Sequence, residues 1–170
     1  MVRALTPEAL TAEAYAPFGD VLSADRSDVP AKPANQGTAS RRDQLAELAS
    51  LRPGASLNVC SFRCSPKTVW PMEVALLEKH PLSTQVFIPM NARRYLVLVA
   101  LGGDSPDLST AMAFLASATQ GVSYRPGVWH HPMIALDAPI DFTCLVWEDG
   151  TDGDCVVAPL PPGALTVANV

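Results

Sequence analysis

From Leu57 onward the chain falls into short β-like runs separated by turn residues roughly every eight to twelve positions. The runs are SLNVCSF, MEVALLEKH, TQVFIPM, RYLVLVAL, AMAFLA, GVSYR, VWHHPMIAL, DFTCLVWE and CVVAPL. That spacing predicts an antiparallel sandwich or barrel. SPDLSTAMAFLAS is the ambiguous piece: Ser105 and Pro106 can open a helix, yet Ala113, Phe114 and Leu115 suit a buried strand, and the reading adopted is a short turn leading into a strand. Nearer the start, Thr6, Pro7 and Glu8 predict a helix, because the hydroxyl can cap free amides and the proline already sits at a helical φ. That helix should end before Pro17, with Gly19 in the turn that follows. Positions 23–42 are polar and rich in Pro, Gly and Ser, which predicts a long surface loop, and Leu45 to Leu51 fits a short helix or a strand. The expected fold is mainly β with a short N-terminal helix, residues 1–170 forming a single domain.

Composition narrows the function. At 48% hydrophobic, the chain can bury a substantial core, and a formal charge of −5 argues against a phosphate-binding groove, so no nucleic-acid partner is expected. No run of apolar residues is long enough to span a bilayer, and MVRALTPEALTAEAYAPFG lacks the hydrophobic core of a secretory signal, so a membrane role is not expected and a cytoplasmic location is. Cys60, Cys64, Cys144 and Cys155 form no recurring close pair and are read as reduced residues rather than a disulfide framework or zinc knot.

All three histidines lie in two segments, LEKHPLSTQVFIPM at 77–90 and GVSYRPGVWHHPM at 121–133. Side chains two apart on a strand share a face, so Glu78 and His80 can line one cavity, and Gln85 with Phe87 can return to it after the turn. Val128 and His130 face one way, Trp129 and His131 the other, so one of the two adjacent histidines should line the cavity.

This spacing resembles the two cupin motifs. In the first, Glu78, His80 and Gln85 stand where two His and an acidic ligand are usual. In the second, Pro126, Gly127 and His130 occupy comparable places. A set of Glu78, His80, Gln85 and His130 would suit nickel, manganese, iron or zinc, while the same residues without metal would form a hydrogen-bonded polar cavity.

A closer resemblance covers nearly the whole chain. LTPEALTAEAYAPFGDVL, HPLSTQVFIPM, PDLSTAMAFLASATQGVSY and VWHHPMIAL are similar to segments of the ureidoglycolate lyase family of allantoin breakdown in purine catabolism. The resemblance implies a cupin-like, jelly-roll-like antiparallel β-barrel, a homodimer, and a carbon–nitrogen lyase of the amidine-lyase type that cleaves (S)-ureidoglycolate to glyoxylate and urea. It also implies nickel or another divalent transition metal as cofactor. One segment departs: where the family reads Arg, aromatic, His, Asp, this chain has Arg41, Arg42, Asp43 and Gln44. On this reading Glu78, His80 and His130 are catalytic, with His131 the alternative to His130. Gln85 would bind the urea group, and Phe87 and Trp129 would wall the pocket. Arg41 and Arg63, matching family positions, would grip the carboxylate, so removing Arg63 should weaken binding. The competing classes are a cupin-like module that binds a small acid without turnover, and a metal-dependent hydrolase or oxygenase on the same scaffold.

Overall fold

The computed structural model describes residues 3–91 and 93–170. Every run named above carries a strand. One sheet has five antiparallel strands in the order Val21–Leu22, Gly121–Tyr124, Gln85–Pro89, Ile140–Glu148, Ser56–Cys64. A second runs Val156–Pro159, Leu76–Lys79, Trp129–His130, Tyr95–Ala100, Met112–Ala116, Glu8–Ala9, with Ile134–Ala135 also paired to Tyr95–Ala100. Phe87, Val122, Tyr124, Phe142, Cys144 and Val146 of the first sheet and Tyr95, Val97, Val99 and Phe114 of the second share one buried cluster, so the two sheets pack face to face. The result is the mainly β architecture of packed antiparallel sheets that the sequence predicts, with one short helix.

The second sheet is covered on its other face as well. Leu77, Leu96, Leu98, Ala113, Trp129 and Ile134 pack there against Leu5, Met72, Leu165 and Val167, and strands Arg3–Leu5, Leu165–Val167 and Met72–Glu73 form a small sheet behind. This explains why YLVLVA is apolar without alternation: Tyr95–Ala100 is buried on both faces at all its positions.

Two local expectations need adjustment, and one left open between helix and strand is decided. The helix is Ala12–Tyr15, capped by Thr11, whose hydroxyl accepts from the Ala14 amide at 3.1 Å, rather than starting at Thr6. Glu8–Ala9 instead lies parallel to Met112–Ala116, because sheet pairing satisfies its backbone better than an isolated helical turn would. The 23–42 loop contains a hairpin of Lys32–Ala34 with Ala39–Arg41. Leu45 to Leu51 forms no helix: the Thr84 amide donates to the Ala49 carbonyl and the Leu51 amide to the Leu82 carbonyl, so its second half runs strand-like beside the residues after His80. The turn reading of SPDLST holds, with a 3-10 turn at Leu108–Thr110 ahead of Met112–Ala116. Among the described residues no helix is long and apolar enough to cross a membrane.

Candidate active site and metal centre

Strand alternation sorts the site. In Trp129–His130, the Trp129 ring points into the rear core, while its neighbour His130 points between the two main sheets, where Val128 also packs. Leu77 and Glu78 divide in the same way, and Glu78 is the register partner of His130 across the antiparallel pair, so the two side chains share the inner face. His80 follows one turn of the alternation later. One ligand atom from each of Glu78, His80 and His130 lies within 4.8 Å of the others, and these buried or half-buried groups could bind a metal ion.

The two imidazoles are held by backbone. His130 Nδ1 is 3.0 Å from the Val128 carbonyl oxygen, and His80 Nδ1 is 2.8 Å from the Asp154 carbonyl oxygen. A carbonyl only accepts, so each Nδ1 carries the proton and each Nε2 is left with a lone pair. His130 Nε2 has no hydrogen-bond partner and stands 3.6 Å from Glu78 Oε1. A carboxylate and two imidazole lone pairs crowded out of water repel one another unless a cation joins them, and outer hydrogen bonds of this kind are how metal-ligating histidines are usually oriented. The orphaned nitrogen therefore fits a metal ligand.

Stacking adds a second restraint. The Tyr124 ring lies parallel to His130 at 4.0 Å and 5°, and His80 lies on the far side of the pair at 5.8 Å and 17° from His130. Gln85 is the register partner of both Tyr124 and Val146, which places it on the same inner face, and its Oε1 is buried without a partner. Phe87, two residues on, packs its ring against Phe62, Tyr124 and Phe142 on that wall.

Burial and neighbouring groups together shift the pKa of both Glu78 and His80 downward. Burial pushes the Glu78 carboxyl up, but neighbouring His130, then His80 and His131, outweigh it, and its pKa falls below the ordinary value. Burial, helped by the charge of His130, holds His80 below the ordinary imidazole value of 6.5; burial likewise lowers His131. In the unfolded chain His80 binds its proton at 6.5, whereas in the fold it binds only at lower pH, so acid favours unfolding across that interval. Chelator-treated protein should therefore lose melting temperature as the pH falls below about 6.5. The loss should be shallower in His80→Asn; equal slopes would show that His80 does not contribute.

Not every sequence-predicted residue reaches the cluster. Arg41 ends the exposed hairpin and pairs with Asp43, which also takes Lys32 at 3.0 Å. Arg63 lies on the outer face of Ser56–Cys64, opposite in phase to the inward Phe62, and makes a two-pronged pair with Asp141 at 2.8 and 2.9 Å. Alternation thus turns Arg63 away from the cavity, and the expected binding loss reverses: Arg63→Ala should leave KM within about twofold, as exposed pairs are energetically minor. A large rise in KM would return it to the site. Trp129 is similarly behind the sheet, its Nε1–H donating to the Gly103 carbonyl at 3.2 Å with Lys79 Nζ 4.5 Å from its ring centroid. His131 is half-buried beside the cluster, with its Nδ1 2.7 Å from the Pro132 carbonyl oxygen.

Sequence reasoning missed Tyr124 and the carbonyls of Val128 and Asp154. Tyr124 was legible in principle, since it alternates in phase with Val122 in GVSYR. The carbonyls carried no signal, because backbone acceptors look alike in any sequence.

Two packed β-sheets with a Glu/His/His group between them, able to take a metal, define a small mainly β protein with a candidate metal centre. The family model described as ureidoglycolate lyase matches residues 2–167, and the chain belongs to that carbon–nitrogen lyase family. Among its relatives, a Burkholderia mallei (strain NCTC 10229) protein described as ureidoglycolate lyase is 43% identical over 89% of this chain and 86% of its own length. One from Pseudomonas syringae pv. tomato, with the same description, is 37% identical over 91% of this chain and 88% of its own. Among solved structures, a dTDP sugar isomerase from Desulfovibrio desulfuricans G20 is 18% identical with a TM-score of 0.47, covering 84% of this chain and 86% of that one. RmlC from Streptococcus suis is 12% identical with a TM-score of 0.45, covering 87% of this chain and 74% of that one.

Proposed function

We propose that Glu78, His80 and His130 form the centre at which this member of the ureidoglycolate lyase family cleaves ureidoglycolate to glyoxylate and urea. The observation that carries the reading is the set of three ligand atoms within 4.8 Å of one another, with both imidazoles anchored through Nδ1.

The substrate has a carboxylate and a carbon bearing both a hydroxyl and a urea nitrogen. Breaking that carbon–nitrogen bond requires the hydroxyl proton to leave as the oxygen becomes the aldehyde of glyoxylate, and the departing nitrogen to gain a proton. The net change is one proton moved from oxygen to nitrogen, so a single relay suffices. Without a metal, Glu78, held ionised, would take the hydroxyl proton and His130 Nε2 beside it would carry a proton toward the urea nitrogen, with His80 completing the set. Gln85 offers an amide that can donate to and accept from the urea group. His131 is the nearest alternative carrier. With Arg41 and Arg63 turned outward, nothing on the inner wall supports them as carboxylate anchors.

A divalent transition ion, nickel by the family resemblance, fits the donor set of one carboxylate oxygen and two imidazole nitrogens, with the unpartnered Gln85 oxygen as a further candidate ligand. When bound it would occupy those lone pairs, so that Glu78, His80 and His130 would serve as ligands in place of the relay, and it would supply Lewis acidity that lowers the pKa of the substrate hydroxyl. The test is release of products from racemic ureidoglycolate by purified protein. Urea and glyoxylate in equal amounts support the reading; ammonia in place of urea, or no product with any added metal, rejects it.

The same reading treats residues 1–170 as one catalytic unit, located in the cytoplasm, where four free thiols are at home. It also takes the homodimer implied by the family to form along Ser56–Cys64, an edge strand whose Leu57, Val59 and Phe62 are 46%, 61% and 45% exposed. Light scattering should give twice the chain mass, and Val59→Lys should halve it. A Val59→Lys dimer would move the interface elsewhere.

A further inference from the structure

His80 owes its tautomer to one backbone oxygen, and that oxygen belongs to a braced turn. Residues 149–154 connect Ile140–Glu148 of the five-stranded sheet to Val156–Pro159 of the other, so the turn bridges the two sheets beside the cluster. The Asp154 carboxylate accepts from the Gly150 amide at 2.7 Å and from the Asp149 amide at 3.1 Å. The Asp149 carboxylate accepts in turn from the Thr151 amide at 3.0 Å and hydroxyl at 2.6 Å. Arg52 closes the turn from outside: its Nη1 donates to Asp149 Oδ2 at 2.8 Å and Thr151 Oγ1 at 2.6 Å, and lies 3.8 Å from Asp154 Oδ1.

These charges are not an ordinary exposed pair. The side chains of Arg52 and Asp154 are only 18% and 11% exposed. The guanidinium packs so closely over Gly153 that a Cβ there would stand 2.6 Å from Nη2, and Gly150 has a left-handed φ of 82° that other residues rarely adopt. Arg52 also comes from the segment bonded to the residues after His80, through the Leu51 amide and the Leu82 carbonyl at 2.8 Å. The Gly127 amide donates to the His80 carbonyl at 2.9 Å, fixing the backbone on the remaining side.

We propose that Arg52 and Asp154 are positioning residues: they lock the 149–154 turn so that the Asp154 carbonyl holds His80 as the Nδ1–H tautomer, with its Nε2 lone pair free for the centre. This rests on the reading of Glu78, His80 and His130 as that centre. Neither residue touches the reacting atoms. A loosened turn would let the His80 ring rotate or take its proton on Nε2, either of which removes a ligand or proton carrier while leaving the substrate-contacting wall in place.

The test uses full-length protein and the variants Arg52→Ala, Arg52→Lys and Asp154→Asn. Long-range proton–nitrogen NMR spectra of nitrogen-labelled, chelator-treated protein report the His80 tautomer, and steady-state kinetics on ureidoglycolate report kcat and KM. The wild type should show the Nδ1–H form. Arg52→Ala and Asp154→Asn should show a mixture and lose at least about tenfold in kcat with KM little changed, as for other outer-shell partners. Arg52→Lys should restore most of both. A wild-type Nε2–H tautomer, or variants keeping both tautomer and kcat, would overturn the proposal. A shifted tautomer with unchanged turnover would uphold the positioning role while removing His80 from the chemistry, which separates this inference from the reading beneath it. Melting curves identify a variant that fails to fold, and the near-isosteric Asp154→Asn then carries the test.

Discussion

Replacing His130 by alanine should abolish turnover, with kcat falling by about a thousandfold or more, as expected if a proton-transferring or metal-ligating group is removed from a buried centre. The change empties the space between Tyr124 and His80, because the His130 ring is stacked on one and faces the other. It also strands Glu78 without its nearest partner. Stability should suffer modestly, since an aromatic stack contributes on the order of 1 kcal/mol beyond its buried area. His80→Ala should give a comparable loss of activity. The measurement is kcat on ureidoglycolate beside a melting curve for each variant. Activity within tenfold of wild type in a folded His130→Ala protein would remove that residue from the mechanism.

Chelation should have the second-largest effect. If Glu78, His80 and His130 hold a divalent ion, prolonged treatment with a strong chelator eliminates turnover, and adding back nickel or another divalent transition metal restores it. The folded state should also gain stability from the ion, because binding at a hundred times the dissociation constant contributes about 2.7 kcal/mol. For a chain of this size that is a rise in melting temperature of roughly 5 to 11 °C. Glu78→Gln should lose most of this metal-dependent rise, as it replaces an anionic ligand with a neutral one. Full activity after verified metal removal would leave Glu78 and the histidines as a proton relay on their own.

The sheet architecture was readable because its signals are local and periodic. Alternation in DFTCLVWE and unbroken apolarity in YLVLVA follow directly from burial on one face and on two. Alternation also implied that one of His130 and His131 faces the cavity, leaving open which, and two-residue spacing put Glu78 and His80 on one face. The helix start was misplaced because the fate of Glu8–Ala9 is decided by a strand more than a hundred residues away, which no local cap can announce. The arginines misled for a related reason. A guanidinium suits a substrate carboxylate and an aspartate equally well, and only the register of Arg63 with Asp141 shows which it has taken. The 149–154 turn gave no signal, because the contribution proposed for it runs through a main-chain oxygen that side-chain chemistry does not reveal.

The two-residue strand Trp129–His130 has a consequence for how mutations in this protein should be interpreted. Its first side chain is sealed in the rear core, and its second faces the Glu78 and His80 side of the sheet, where the proposed centre lies. Trimming the indole would tilt the imidazole without altering any group that meets substrate. A mutational map of activity would consequently show a sensitive patch on the wrong side of the sheet, and a design effort that treated the rear core as inert scaffold would be changing the catalyst unawares.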